Sequence, residues 1–274
     1  MKIKILLLCF FIAASVFGGG LSFSPERGLV EIDIVLNGKI KGRFGIDTGA
    51  DFLYIDRKFA FENKLNIIPQ SLRPVTGIKG QSKATPISLK SVEIGEAKLV
   101  NVKATAIDLN AFIKDTSMGI PDGVIGYTIL KEFYITVDFP NETIYMEAEK
   151  PDFLRGRNYK TLPFTQYKHL ILVKSKINDL IEANLILDYC ASYTSFSENI
   201  ADQLSINSRK GKVKEIDIGE GISSGPVTCL VNDFKKLKKA LPRADFEGIL
   251  GYSFLYQYKV TIDYKNKLLY FHNR

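Results

Sequence analysis

The sequence predicts a mainly β protein built from two pseudo-symmetric copies of one small barrel or sandwich. Three observations carry that expectation. Residues 122–146 read DGVIGYTILKEFYITVDFPNETIYM and residues 247–271 read EGILGYSFLYQYKVTIDYKNKLLYF, an ungapped match at an offset of 125. Its identical pairs include Gly123/Gly248, Gly126/Gly251, Tyr127/Tyr252, Thr136/Thr261 and Asp138/Asp263. A second ungapped match, at an offset of 141, sets residues 29–60 on residues 170–201 and pairs Asn37 with Asn178, Asp47 with Asp188 and Ala50 with Ala191. The two blocks keep the same order in both halves, as a duplicated unit requires. Third, short alternating apolar runs are broken by turn residues at intervals of about ten residues, the spacing of barrels and sandwiches.

The elements follow in chain order. Lys2 and Lys4 precede an apolar run over residues 5–17, and Gly18, Gly19 and Gly20 follow. This is the order of an export signal, taken as residues 1–22, so an exported product (periplasmic or secreted) is expected. The run is shorter than the roughly 20 residues of a membrane span, so no stable span is expected. The first copy covers residues 23–150. Residues 151–160 read as a linker, with Pro151 and Gly156, and the second copy covers residues 161–274. In the first copy, residues 30–36 alternate and Asn37-Gly38 marks a hairpin turn. Residues 44–47, 87–92, 98–106, 135–139 and 143–147 are further strand candidates. Short helices are expected over 57–65, 110–114, 127–133, 198–204 and 233–241.

Composition narrows the chemistry. The chain has 274 residues, 46% apolar and 24% charged, which fits an ordered globular protein and not a disordered one. With two His and three Cys, a zinc site or a disulfide scaffold is poorly supported, and no metal or cofactor is expected. The net charge of +7 is spread along the chain. Lys235, Lys236, Lys238 and Lys239 alternate with Phe234, Leu237 and Leu241, which reads as the solvated face of a short amphipathic helix. No nucleic-acid partner is expected, because basic and aromatic residues do not interleave on one surface. Beyond the signal, Cys190 and Cys229 remain. Cys190 reads as a small buried apolar residue, as a disulfide partner of Cys229, or as a reactive thiol. His169 reads as a surface residue, and Asp138 and Asp263 as turn caps.

Asp47-Thr48-Gly49-Ala50 follows an apolar strand; alone, such a string is as good a turn as a site. Downstream come a glycine-tipped hairpin at Gly77-Ile78-Lys79-Gly80, then Val124-Ile125-Gly126 with a short helix, then a strand ending in Asp138. This order resembles the retropepsin-like aspartic protease domain, and two copies in one chain resemble the two-lobed pepsin-like arrangement. The resemblance implies a chain of two pseudo-symmetric acid-protease β-barrel lobes. It implies that Asp47 and Asp188 meet across a pseudo-two-fold axis, share a proton and activate a water against a peptide carbonyl. Thr48 would brace the opposite loop, Gly49 and Ala50 would shape the active-site loop, and Gly77, Ile78, Lys79 and Gly80 would form a substrate-covering flap. Gly126 and Gly251 would pack beneath the two Asp loops.

The second loop departs from the pattern. It reads Asp188-Tyr189-Cys190-Ala191, with Tyr189 in the Thr position and Cys190 in the Gly position. A second flap could be tipped at Gly219-Glu220-Gly221 or at Ser223-Ser224-Gly225. The resemblance implies an aspartic endopeptidase acting on polypeptide. The departures keep two alternatives open: a protease-like module that binds peptide without cutting it, and a homodimer active through Asp47 of two chains.

Overall fold

The computed structural model describes residues 19–25, 28–68, 72–78, 80–112, 119–156 and 158–272. Most of the expected export signal, residues 1–18, lies outside them, as does Lys79 of the expected flap. Among the described residues, no helix is long and apolar enough to cross a membrane.

Strands Glu31–Leu36 and Ile40–Ile46 pair antiparallel. The turn between them takes positive φ at both Asn37 (53°) and Gly38 (73°), the conformation of a two-residue hairpin that matches strand twist. The second copy turns at Asn178 and Asp179 with φ of 52° and 60°, between Leu170–Ile177 and Ile181–Leu187. In the first lobe the strand order is Glu31–Leu36, Ile40–Ile46, Gly123–Ile125, Tyr54–Asp56, Ala97–Ile107, Gln81–Ile94, and Leu72–Thr76 at the edge. Pairing of Val35 with Glu93 and Leu36 with Val92 closes six of these strands into a barrel. The second lobe repeats the central order with Leu170–Ile177, Ile181–Leu187, Gly248–Leu250, Thr194–Phe196 and Val227–Val231, curled into a partial barrel.

A six-stranded sheet floors both lobes, in the order Leu21–Ser22, Thr143–Glu147, Tyr134–Asp138, Lys259–Asp263, Leu268–His272, Tyr159–Pro163. Thr136 stands opposite Thr261 at its centre, and their hydroxyls hydrogen-bond at 2.8 Å. These two residues are an aligned pair of the repeat, so the pseudo-two-fold axis passes between them. Asp138 caps its turn by accepting from the Asn141 amide at 3.2 Å, and Asp263 accepts from the Asn266 amide at 3.0 Å. The apolar core runs unbroken through both lobes; Phe139 at the axis packs edge-on against Phe23, Tyr189 and Tyr252.

Some expected bounds move. Leu21 and Ser22, assigned to the signal, pair with Ile144 and Thr143 as an edge strand. Within the expected linker, Asp152–Leu154 is a 3-10 turn and Tyr159 already belongs to a strand. Four helices are shorter than expected, at Arg57–Glu62, Tyr127–Leu130, Glu198–Gln203 and Lys235–Ala240. The fifth is a 3-10 turn at Leu109–Ala111 that Asp108 caps; residues 113–114 of that expected helix lie outside the described residues.

Candidate active site

Each lobe delivers its aspartate by the same path. Ile40–Ile46 lies parallel to Gly123–Ile125, and the chain leaves it into residues 47–50. The Asp47 amide donates to the Ile125 carbonyl (3.0 Å), the Ala50 amide to the Asp47 carbonyl (3.3 Å) and the Tyr127 amide to the Ala50 carbonyl (2.9 Å). The second lobe repeats all three: Asp188 to Leu250 (3.1 Å), Ala191 to Asp188 (3.3 Å) and Tyr252 to Ala191 (2.8 Å). Both loops need a glycine beneath them. A Cβ at Gly126 would stand 2.4 Å from the Phe52 carbonyl oxygen and 2.6 Å from that of Ala50. One at Gly251 would stand 2.5 Å from the Ala191 oxygen and 2.7 Å from that of Tyr193.

The two carboxylates converge on Gly49. A Cβ built there would lie 3.1 Å from Asp188 Oδ2 and 3.3 Å from Asp47 Oδ1. Each carboxylate is also held by its own loop: the Gly49 amide donates to Asp47 Oδ1 at 2.9 Å and the Cys190 amide to Asp188 Oδ1 at 2.8 Å. Both side chains are half-buried. Burial raises the Asp47 carboxyl well above its usual value, and the Asp188 charge raises it further; the Gly49 and Ala50 amides pull the other way. Burial likewise raises Asp188, to about 6, against the Cys190 amide. Two such groups side by side titrate as a pair and favour one shared proton.

The loops are braced from one side. The Thr48 hydroxyl, fully buried, donates to the Leu187 carbonyl at 2.8 Å and accepts from the Tyr189 amide at 3.2 Å. Tyr189 stands where a second such hydroxyl would be. Its ring instead turns down into the core against Phe139. Its own hydroxyl is buried with no hydrogen-bond partner among the described residues. A buried donor without a partner costs free energy. Tyr189→Phe is therefore expected to match or exceed the wild type in stability by about 0.5–1 kcal/mol, read by urea denaturation. A loss of stability in that variant would mean that the hydroxyl has a partner.

Cys190 is tolerated because the facing lobe makes room. A Cβ added at Gly45 would meet Cys190 Sγ at 2.9 Å. The aligned partner of Gly45 is Ile186, and the aligned partner of Cys190 is Gly49. Cys190 on the second loop thus faces Gly45 on strand Ile40–Ile46, whereas the first loop carries Gly49 at the Cys190 position and the second lobe carries Ile186 at the Gly45 position. Cys190 and Cys229 are not joined in a disulfide, and Cys190 packs with Ala50, Val75, Phe112 and Ile120 around the cluster of Tyr54, Ile107 and Val124. Gly45→Ala should destabilise the protein, and Cys190→Gly in that background should recover it. A double-mutant cycle is expected to give a coupling of about 1 kcal/mol, and additive effects would refute the pairing.

The expected flap is a hairpin. Leu72–Thr76 pairs with the start of Gln81–Ile94, and the Gly77 amide donates to the Gly80 carbonyl at 3.0 Å. Its turn is packed tightly, since a Cβ at Gly80 would stand 2.4 Å from the Ala111 carbonyl oxygen. Ile78 reaches across to the second lobe and packs in a cluster with Tyr167, Leu170, Ile249 and Leu237. The lysine-rich helix Lys235–Ala240 lies against the flap strand.

Neither expected second flap tip is one. Gly219-Glu220-Gly221 turns between the two-residue strands Ile216–Asp217 and Ser223–Ser224, and Ile177 pairs with Ile216 as Leu36 pairs with Val92. The Asn178 side chain accepts from the Lys214 and Glu215 amides, as Asn37 accepts from those of Lys90 and Ser91. These pairings set Gly219 on Gly95, the hairpin at the end of the lobe away from the flap. A third repeat block, LKSVEIGE against VKEIDIGE at an offset of 124, carries this signal in the sequence. Helix Glu198–Gln203 matches Arg57–Glu62 at the offset of 141, so the drop to 124 makes the second lobe 17 residues shorter in the stretch where the first lobe carries its flap.

His169, expected at the surface, is half-buried against the first lobe's loop, facing the Gly49 carbonyl and Asp51. The aligned position in the first lobe, Gly28, likewise lies against Ser192, which aligns with Asp51. Elsewhere, a surface pocket of about 360 Å³ lined by Asp56, Glu62, Asn110 and Asp122 includes none of the loop residues. The carboxylates there serve the fold: Asp56 caps helix Arg57–Glu62, and Asp122 Oδ2 accepts from the Arg43 amide at 2.8 Å.

Two barrel-like lobes on a shared floor, each presenting an aspartate from the same loop, define the two-lobed acid-protease class of fold. Residues 30–129, within the first lobe, match the aspartyl protease family model. That match supports a retropepsin-like aspartic protease domain in the first lobe, beside which the chain carries a second barrel-like lobe. A comparison with curated proteins finds no significant match.

Proposed function

We propose that this protein is an exported aspartic endopeptidase that hydrolyses peptide bonds through the Asp47/Asp188 pair. The observation that carries this reading is the convergence of the two carboxylates on Gly49, each oriented by its own loop amide. A water between the carboxylates gives a proton to the ionised one and attacks the peptide carbonyl. The protonated one donates to the carbonyl oxygen as it becomes tetrahedral. Collapse of that intermediate expels the amine, which takes a proton from the pair. Thr48 keeps the loops in register, and the flap of Gly77, Ile78 and Gly80 covers the peptide and excludes water. The apolar cluster around Tyr54, Ile107 and Val124, beside Ala50 and Cys190, favours apolar side chains next to the cut bond.

Both halves of the site come from one chain in this reading. The shared floor and the fit of Cys190 Sγ onto Gly45 support it over a dimer using two copies of Asp47. The test is cleavage of a peptide library between about pH 3 and 7, with and without a transition-state inhibitor of aspartic proteases. Inhibitor-sensitive cleavage at a rate per chain that does not change with protein concentration is expected. A folded wild type that binds peptide and cuts none would replace this reading with the peptide-binding module. In that case Tyr189, in the position of the second bracing hydroxyl, is the departure to examine first.

A further inference from the structure

We propose that His169 is a positioning residue for this site: its imidazole ties the second lobe to the loop carrying Asp47, through the Gly49 carbonyl and the Asp51 carboxylate. The inference rests on the endopeptidase reading for its effect on rate, but its contacts can be tested without it.

His169 sits where the hairpin between Thr165–Tyr167 and Leu170–Ile177 turns back. That hairpin is already fastened to the first lobe. Gln166 donates to the Tyr127 hydroxyl at 2.9 Å, and Tyr127 in turn donates its amide to Ala50. Tyr167 and Leu170 belong to the cluster that receives Ile78 from the flap. The turn therefore abuts both the loop and the lid of the first lobe, and His169 is its titratable group facing the loop. Its partner Gly49 is the residue on which both carboxylates converge, so a shift of this loop displaces the site. Asp51 also accepts a short hydrogen bond from the Tyr54 hydroxyl, which links His169 to the apolar cluster beside the scissile position.

At the symmetry-related place Gly28 lies against Ser192, and neither titrates. The groups facing the imidazole are Asp51, the Gly49 carbonyl and Lys168. Burial lowers the imidazole below its usual value; Asp51 and the Gly49 carbonyl raise it, and Lys168 lowers it. His169 is thus neutral at pH 7 in its docked position; because burial holds its pKa below the free value, protonation at acid pH works against that position and loosens the link, while Asp51 offsets part of the loss.

Two measurements test this. The first compares kcat and KM for peptide cleavage across pH in the wild type, His169→Ala and His169→Gln. His169→Ala should lower kcat about tenfold with KM nearly unchanged, because a slightly displaced loop costs transition-state alignment more than binding. His169→Gln keeps a donor for the Gly49 carbonyl and should recover most of kcat, while losing one ionisation from the acid side of the profile. An unchanged kcat and pH profile in His169→Ala would overturn the proposal. The second follows the imidazole by NMR. The chain has two histidines, so His272→Gln identifies the His169 signal. In the wild type it should titrate below 6.5, and Asp51→Asn should move it lower still. A signal indifferent to Asp51→Asn would overturn the contact itself. A wild type that cuts nothing would sink the endopeptidase reading, and the NMR shift then decides whether His169 links the lobes.

Discussion

Asp47→Asn and Asp188→Asn are each expected to lower kcat for peptide cleavage by about 10²–10⁴-fold, since an amide can neither take the proton from water nor share one with its neighbour. Loss in both variants is the outcome required by a dyad within one chain. Loss in Asp47→Asn alone, with Asp188→Asn active, would point to a dimer. The same pair predicts a stability signature that needs no substrate. Both folded-state values lie above the ordinary carboxylate value, so from about pH 4 upward the folded protein holds more protons than the unfolded chain. Stability is therefore fullest below that range and falls as pH rises through the raised values. For Asp188, moved from 3.8 to about 6, the cost at neutral pH is on the order of 2–3 kcal/mol. Asp188→Asn should raise the melting temperature at pH 7 and change it little near pH 3.5. An equal change at both would mean that the carboxylates do not carry this strain.

Gly126→Ala should be severely damaging to the first lobe. The added methyl would stand 2.4 Å and 2.6 Å from two carbonyl oxygens, of Phe52 and Ala50, and neither is the free end of a flexible side chain. The loop that carries Asp47 must move to admit it. We expect a loss on the order of 3 kcal/mol and a fall in melting temperature of about 10 °C. Gly251→Ala should act alike on the second loop, through the Ala191 and Tyr193 carbonyls. Gly156→Ala is the control, because its nearest neighbour would be 3.8 Å away. If Gly126→Ala melts like the control, the loops are not seated on these glycines.

The sequence alone determined the architecture and the two aspartates. Duplication leaves ungapped matches, so Asp47/Asp188 and Gly126/Gly251 could be paired before any coordinate was known. Hairpins are local, so Asn37-Gly38 and Gly77/Gly80 announced theirs. Asp138 and Asp263 read as turn caps for the same local reason. Three features were decided by tertiary structure. Cys190 looked out of place because the glycine that accommodates it, Gly45, stands on the opposite lobe, distant in sequence. Tyr189 looked like a failed Thr48, yet its ring fills core beside Phe139, and burial depends on what packs there. His169 looked exposed because the loop that covers it belongs to the other lobe. The flap assignment in the second lobe went wrong through local glycine content, and the ladder partners of Ile177 and Asn178 corrected it. Contacts across the axis join residues that the chain does not bring near each other, so their chemistry is set only when the lobes close on the shared floor.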